Sequence, residues 1–257
     1  MCVKKRQPSV AVSDARGVRS LHVGGEAIQS AMRLGDPFAL YLDYTRCMMG
    51  FLLFHPEPRR ALMIGLGGGS LAKFFFKRLR HTSIRVIELD PRVLAAARQQ
   101  FHLPPDDARF VVEIGDGAEA LAPECCDVLV VDAFHDEEHV PELASQAFYD
   151  AAFLALAEPG VLVVNFMDDD RNLDANLRRL EAAFGGAVVA MKALYDPNVI
   201  AFALKGGPRG SAWSVDWDLL RKRAGRLESE LGLPFTRYLP RLRGMNRFTT
   251  RELIIRP

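Results

Sequence analysis

Between positions 61 and 166 the chain repeats one alternation: a short run of Val, Ile and Leu, a segment with helical spacing, then another apolar run. The runs fall at 61–65, 83–89, 108–114, 127–132 and 160–166, and the segments between them predict helices over 70–79, 91–101, 117–121 and 145–156. Strands that are apolar on both sides belong to a parallel sheet with helices covering both faces. Right-handed crossovers then bring the strand ends at Gly65, Glu88, Ile114 and Asp132 to one edge, where open α/β sheets bind their ligands. A helix over 173–184 and a hairpin of 187–193 with 199–205, turning at the sequence YDPN, extend the same unit.

The flanks read differently. Residues 1–17 are polar and without period, which predicts a flexible tail. From 18 to 55, SLHVGG and AIQSAMRLGDP predict short antiparallel strands in a small β lobe, and YTRCMMGFLLF predicts a buried helix over 44–54. The α/β unit then occupies 56–205. A C-terminal extension, 206–257, opens on the breakers GGPRGSAW and contains one expected helix, 216–231, followed by the basic stretch LPFTRYLPRLRGMNRF.

Several functional classes gain no support. The 33 Lys and Arg balance 32 Asp and Glu, so no charge excess points to nucleic acid or an acidic membrane. No window approaches the roughly 18 uninterrupted apolar residues of a membrane span, and MCVKKRQPSV lacks the apolar core of a secretory leader. The four cysteines have no zinc-type spacing, and neighbouring Cys125 and Cys126 form no unstrained bridge, so reduced thiols in the cytoplasm are expected. The loop DAFHDEEHV gathers His135, Asp136, Glu137, Glu138 and His139, but no second cluster stands at ligand spacing; it reads as a solvated lid and no metal is expected.

The turn LMIGLGGGSLAKFF follows the first of the five runs and opens a helix. Glycines there let the chain approach a ligand closely and leave helix N–H groups at the contact. The pattern is G-x-G-x-G on Gly65, Gly67 and Gly69, a form suited to S-adenosyl nucleosides more than to a dinucleotide pyrophosphate. Glu88 ends the next strand, nineteen positions past Gly69, where an acid accepts ribose hydroxyls. Asp116, in GDG after the third strand, is placed to take an adenine amino group, and Asp132 ends the fourth.

In the order GLGGGS, IELDP, GDG and VVDAFHDEEHVPELASQAFYDAAFLALAEPGVLVVNF, the sequence resembles the spermidine synthase family of aminopropyltransferases over about 21–205. The resemblance implies a class I methyltransferase-like, Rossmann-like fold with a mostly parallel seven-stranded sheet behind a small N-terminal β lobe, and a homodimer. It implies aminopropyl transfer from decarboxylated S-adenosylmethionine to an amine-type acceptor. Asp132 matches the acid that receives the proton, Tyr44 a tyrosine lining the amine pocket, and Glu88 and Asp116 the ribose and adenine contacts. His135 reads either as a proton acceptor beside Asp132 or as a polar loop residue.

Three positions depart from the family pattern. An Asp that holds the donor's amine is replaced by Gly68. The second acid expected three residues after the first is His135, with Asp136 one step late, and a Glu expected two residues after the tyrosine is Arg46. Fewer acids and an added cation favour a carboxylate, so intact S-adenosylmethionine as donor, or an acidic acceptor meeting Arg46, is a second expectation. Methyl transfer at the same site, and a catalytically silent nucleoside-binding or interaction protein, are the alternatives.

Overall fold

The computed structural model of the chain describes residues 9–135, 138–139, 141–207 and 212–256. Three strands, β1 (Val10–Ala15), β2 (Val18–Val23) and β3 (Ser30–Arg33), pair antiparallel in order as the small lobe. The expected flexible tail is therefore corrected at 10–15. Val10 and Val12 alternate with exposed neighbours and pack against Leu21, Met32 and Phe101, enough to hold an edge strand.

Helix α1 (Asp43–Met48) follows, and the predicted 44–54 helix continues as a 3₁₀ turn over Met49–Leu53. There a Cβ on Gly50 would stand 2.9 Å from Met191 Cε and 3.0 Å from Phe202 Cζ, so the tight winding lies directly on the sheet.

The alternation predicted from sequence then appears: β4 (Arg60–Ile64), α2 (Ser70–Arg78), β5 (Ser83–Glu88), α3 (Pro91–Gln100), β6 (Phe110–Ile114) and β7 (Cys126–Val131). Two two-residue strands, β8 (Phe134–His135) and β9 (Glu138–His139), form a small hairpin before α4 (Gln146–Ala155) and the long β10 (Leu156–Met167). The helix expected over 117–121 is a turn instead: Asp116 Oδ1 accepts the Ala118 N–H at 2.8 Å, and Pro123 disfavours helical backbone at the residue before it.

Helix α5 (Leu173–Ala183) leads to β11 (Val188–Lys192) and β12 (Asn198–Lys205), the expected hairpin. The seven-stranded sheet runs β11-β12-β10-β7-β4-β5-β6, with β12 antiparallel to both neighbours and the other pairs parallel. Side-chain alternation divides its core. Ala61, Met63, Val86, Val128, Val130, Val163, Ile200 and Phe202 face one side; Leu62, Ile64, Ile87, Leu129, Val131, Val164, Val199 and Ala201 face the other with Phe148 and Tyr149. A strand of either set that slipped by one residue would exchange the two faces, so register is strongly specified.

The C-terminal extension packs onto the first face. It comprises β13 (Trp213–Asp216), α6 (Trp217–Leu231), α7 (Phe235–Met245) and β14 (Glu252–Arg256), of which α7 and the β13-β14 pair are not predicted by the sequence reading. Trp217, Leu220, Phe235, Tyr238 and Leu242 are buried there. Truncating such a side chain to Ala costs about 2–5 kcal/mol. No helix among the described residues is long and apolar enough to cross a membrane.

Candidate active site

The turn from β4 to α2 is wedged between neighbouring strand ends. The Gly65 N–H donates to Ile87 O at 2.9 Å, and the Asp132 N–H donates to Ile64 O at 3.0 Å. Gly65, Gly67 and Gly69 have φ of +94°, +52° and +72°. At Gly65 a Cβ would also lie 2.3 Å from the carbonyl oxygen of Asp132, so no side chain fits. The glycine turn and the acid at the end of β7 are thus in direct backbone contact.

Gly68 is constrained by space alone. A Cβ there would meet Phe101 Cδ1 at 2.8 Å and Ser30 Oγ at 2.9 Å. Phe101 caps α3, and Ser30 begins β3 of the small lobe, so two separate elements close over the position where an amine-holding Asp was expected.

Glu88 is buried at the end of β5. Its Oε2 accepts the Leu66 N–H and its Oε1 the Asp90 N–H, both at 2.9 Å. Burial raises its pKa, and these N–H donors offset part of the rise. The same carboxylate that faces the ligand edge therefore also fixes the glycine turn. Beside it Leu89 is 70% exposed, and Ile114 at the end of β6 is 47% exposed. Leu89 and Ile114 thus leave apolar surface open at the ends of β5 and β6, the edge at which exposed Asp116 also stands.

Asp132 has a different setting. Tyr44 Oη donates to its Oδ2 at 3.3 Å, and Asn165 Nδ2 donates to its Oδ1 at 3.0 Å. Asn165 in turn accepts from Asn198 Nδ2 at 3.0 Å. The three residues follow one another across β7, β10 and β12. Desolvation pushes the Asp132 pKa up to about 6 against the pull of its two donors, which leaves a carboxyl poised near neutral pH. Burial and the Asp132 charge raise the Tyr44 pKa well above its usual range, so its hydroxyl keeps its proton and stays a donor.

The structure brings Tyr44, Asp132, Glu88 and the three glycines to one edge but not Arg46. Its Nε donates to Leu40 O at 2.8 Å and its Nη2 to Tyr41 O at 3.0 Å. It lines a cleft of ≈ 370 Å³ with Lys77 and Arg78 that includes neither Glu88 nor Asp132. Two positions apart on a helix point to nearly opposite sides, which separates Arg46 from Tyr44. The expectation of Arg46 as a substrate contact is corrected accordingly.

His135 ends β8; its side chain, and all of Asp136, lie outside the described residues. Among the described residues no three His, Cys, Asp or Glu gather as a metal site.

Sequence reading missed Asn165, Asn198, Leu89 and Ile114. A lone Asn in the apolar run VLVVNF is a legible signal, since a buried amide needs partners. Nothing local marks the exposure of Leu89 or Ile114.

Residues 42–175 match the family model described as the spermine/spermidine synthase domain. The polyamine aminopropyltransferase of Chromobacterium violaceum is 36% identical over 250 residues, 96% of this chain and 94% of that protein. Among solved structures, a probable spermidine synthase from Corynebacterium glutamicum superposes with a TM-score of 0.69 at 20% identity, covering 89% of this chain and 86% of its own. Human methyltransferase-like protein 13 in complex with SAH gives 0.65 at 26% identity, covering 75% of this chain and 93% of its own.

Proposed function

Because this chain belongs to the spermine/spermidine synthase family, we propose that it transfers an aminopropyl group from decarboxylated S-adenosylmethionine to a polyamine-type amine. The observation that carries this reading is Asp132, held by Tyr44 and Asn165 directly against the glycine turn with a pKa of about 6. The acceptor nitrogen attacks the propyl carbon on the sulfonium; the new N–C bond forms as the C–S bond breaks, and its electron pair stays on sulfur as a neutral thioether. The proton lost by the amine passes to Asp132. A sulfonium is already an excellent leaving group, so the chain supplies orientation and a proton acceptor.

Glu88 holds the ribose, Asp116 the adenine amino group, and the backbone at Gly65, Gly67 and Gly69 lets the nucleoside come close. Free Cys47, Cys125 and Cys126 support a reducing, cytoplasmic location, and the family resemblance supports a homodimer. Light scattering on the purified chain tests the latter.

A second reading, methyl transfer from intact S-adenosylmethionine, is favoured by Gly68. No acid stands there, and Phe101 and Ser30 fill the space one would need. Mass spectrometry after incubation with each donor and putrescine separates the readings. An added aminopropyl group from the decarboxylated donor supports the first; an added methyl group, or no transfer with an Asp132→Asn variant equally silent, removes it. Isothermal titration with both donors decides which one the site prefers.

A further inference from the structure

Two hydrogen bonds run in opposite directions between the start of α1 and the turn joining β11 to β12. The Tyr44 N–H donates to Asp196 Oδ2 at 3.0 Å, and the Tyr195 N–H donates to Asp43 Oδ2 at 2.7 Å. Each segment therefore gives one carboxylate and one backbone N–H, and the pair spans 152 positions of sequence.

The first turn of a helix leaves N–H groups without internal partners, and a side chain on the preceding residue usually takes one. Here that residue is Leu42, which makes no side-chain cap. Asp196 supplies the missing acceptor from another part of the fold. Asp43 is 6% exposed, and its Oδ1 has no partner among the described residues. Burying a carboxylate this way is costly unless another term outweighs it, and its one strong bond is the one to Tyr195. Cys47 Sγ, at 3.8 Å, is a weak second donor. Among the described residues no Lys, Arg or His pairs with Asp43, Asp132 or Asp196.

Tyr44 is the only residue of this group whose side chain reaches Asp132. We propose that Asp43 and Asp196 are positioning residues for Tyr44, forming a reciprocal clamp that sets its hydroxyl on Asp132. The clamp joins the segment before the glycine turn to the hairpin that completes the sheet, so the backbone that carries the Tyr44 side chain is tied at residues 43 and 44. Its kinetic consequence rests on the proposed transferase reading; its geometry does not.

The test uses Asp196→Ala, Asp196→Asn and Asp43→Asn in the full chain, with circular dichroism to confirm folding. The side-chain carbonyl of Asn still accepts an N–H, so the two Asn variants keep the clamp and Asp196→Ala breaks it. Misplacing a group at the reacting centre costs about tenfold or more in rate. That loss in kcat, with the donor KM unchanged, is expected for Asp196→Ala, while Asp196→Asn and Asp43→Asn stay within about twofold of wild type.

A readout independent of turnover is the ¹³C resonance of the Asp132 carboxyl, assigned with Asp132→Asn. Its titration midpoint, expected at about 6 in the wild type, should move up in Asp196→Ala and in Tyr44→Phe and stay in place in Asp196→Asn. An Asp196→Ala chain with wild-type midpoint and kcat overturns the clamp. So does an Asp196→Asn chain shifted as far as Asp196→Ala, because charge and not the bond would then be at work. A wild type that transfers nothing refutes the proposed function, and the titration still decides the clamp.

Discussion

The Tyr44 hydroxyl donates to Asp132 Oδ2 at 3.3 Å, joining a helix that precedes the α/β alternation to the end of its fourth strand. Under the proposed transfer, the pair should give the rate a pH dependence. An acid whose folded pKa is about 6 accepts a proton only above that value, so log kcat should rise through about pH 6 and level off. Tyr44→Phe removes one of two donors that pull the value down, and the rising limb should move to higher pH. A wild-type limb near the ordinary carboxylate value of about 4 would assign the base elsewhere.

The same shift has a thermodynamic sign. Between about pH 4 and 6 the folded chain holds a proton on Asp132 that the unfolded chain has released, so stability should fall as pH rises through that window. Asp132→Asn should remove this contribution, which urea unfolding at a series of pH values would register as a flatter profile.

Asn165 is a second point of leverage. Asn165→Leu takes away a donor to Asp132 and leaves the Asn198 amide without its oxygen acceptor in a buried place. An unpaired buried polar group costs about 1–3 kcal/mol. Urea unfolding should show a loss of that order, accompanied by an upward move of the kinetic limb. A variant as stable as the wild type would mean that the ladder of amides contributes little.

Gly68→Asp should not create an amine-binding acid. The new side chain would have to displace Phe101 or Ser30, each within 3 Å of its first carbon. Lower thermal stability and weaker affinity for both donors are expected from calorimetry. If the variant instead gains affinity for the decarboxylated donor alone, the closed space at residue 68 is more yielding than its neighbours imply.

Lys73 is fully buried and donates to Phe101 O at 2.7 Å, with Met32 Sδ at 3.2 Å. Desolvation lowers its pKa to about 8 from an ordinary value of about 10.5. Between those values the unfolded chain binds the extra proton, so stability should rise with pH across that range. Lys73→Met removes the buried charge and its desolvation cost, so it should abolish the rise and gain stability on the wild type at pH 7 relative to pH 10. Denaturant midpoints at pH 7 and pH 10 decide this.

The sheet, its covering helices and the ligand edge were legible because each depends on local period: β-branched runs, glycines after the first of them, acids at the ends of the next. The positions of Glu88 and Asp132 at strand ends followed from the same geometry. What escaped depends on distant contacts. Arg46 reads as a free cation, yet the carbonyls of Leu40 and Tyr41 engage it. Asp196 reads as a turn residue, and Asp43 stands unmarked just before the expected helix; only their meeting across 152 positions suggests a role for them. Helix α7 was hidden by Pro240 inside it and by its arginines, which mask the apolar stripe of Phe235, Tyr238 and Leu242.

Asp132, Asn165 and Asn198 succeed one another at intervals of 33 residues. During synthesis the acid therefore emerges long before its support. Until β12 docks against β10, Asn165 has no partner for its oxygen and the turn bearing Asp196 does not yet meet Tyr44. A nascent or truncated chain ending before residue 198 would close much of the sheet yet hold Asp132 loosely. If Asp132 is the proton acceptor proposed above, competence arrives with the last central strand, and completion of the sheet is coupled to readiness for chemistry.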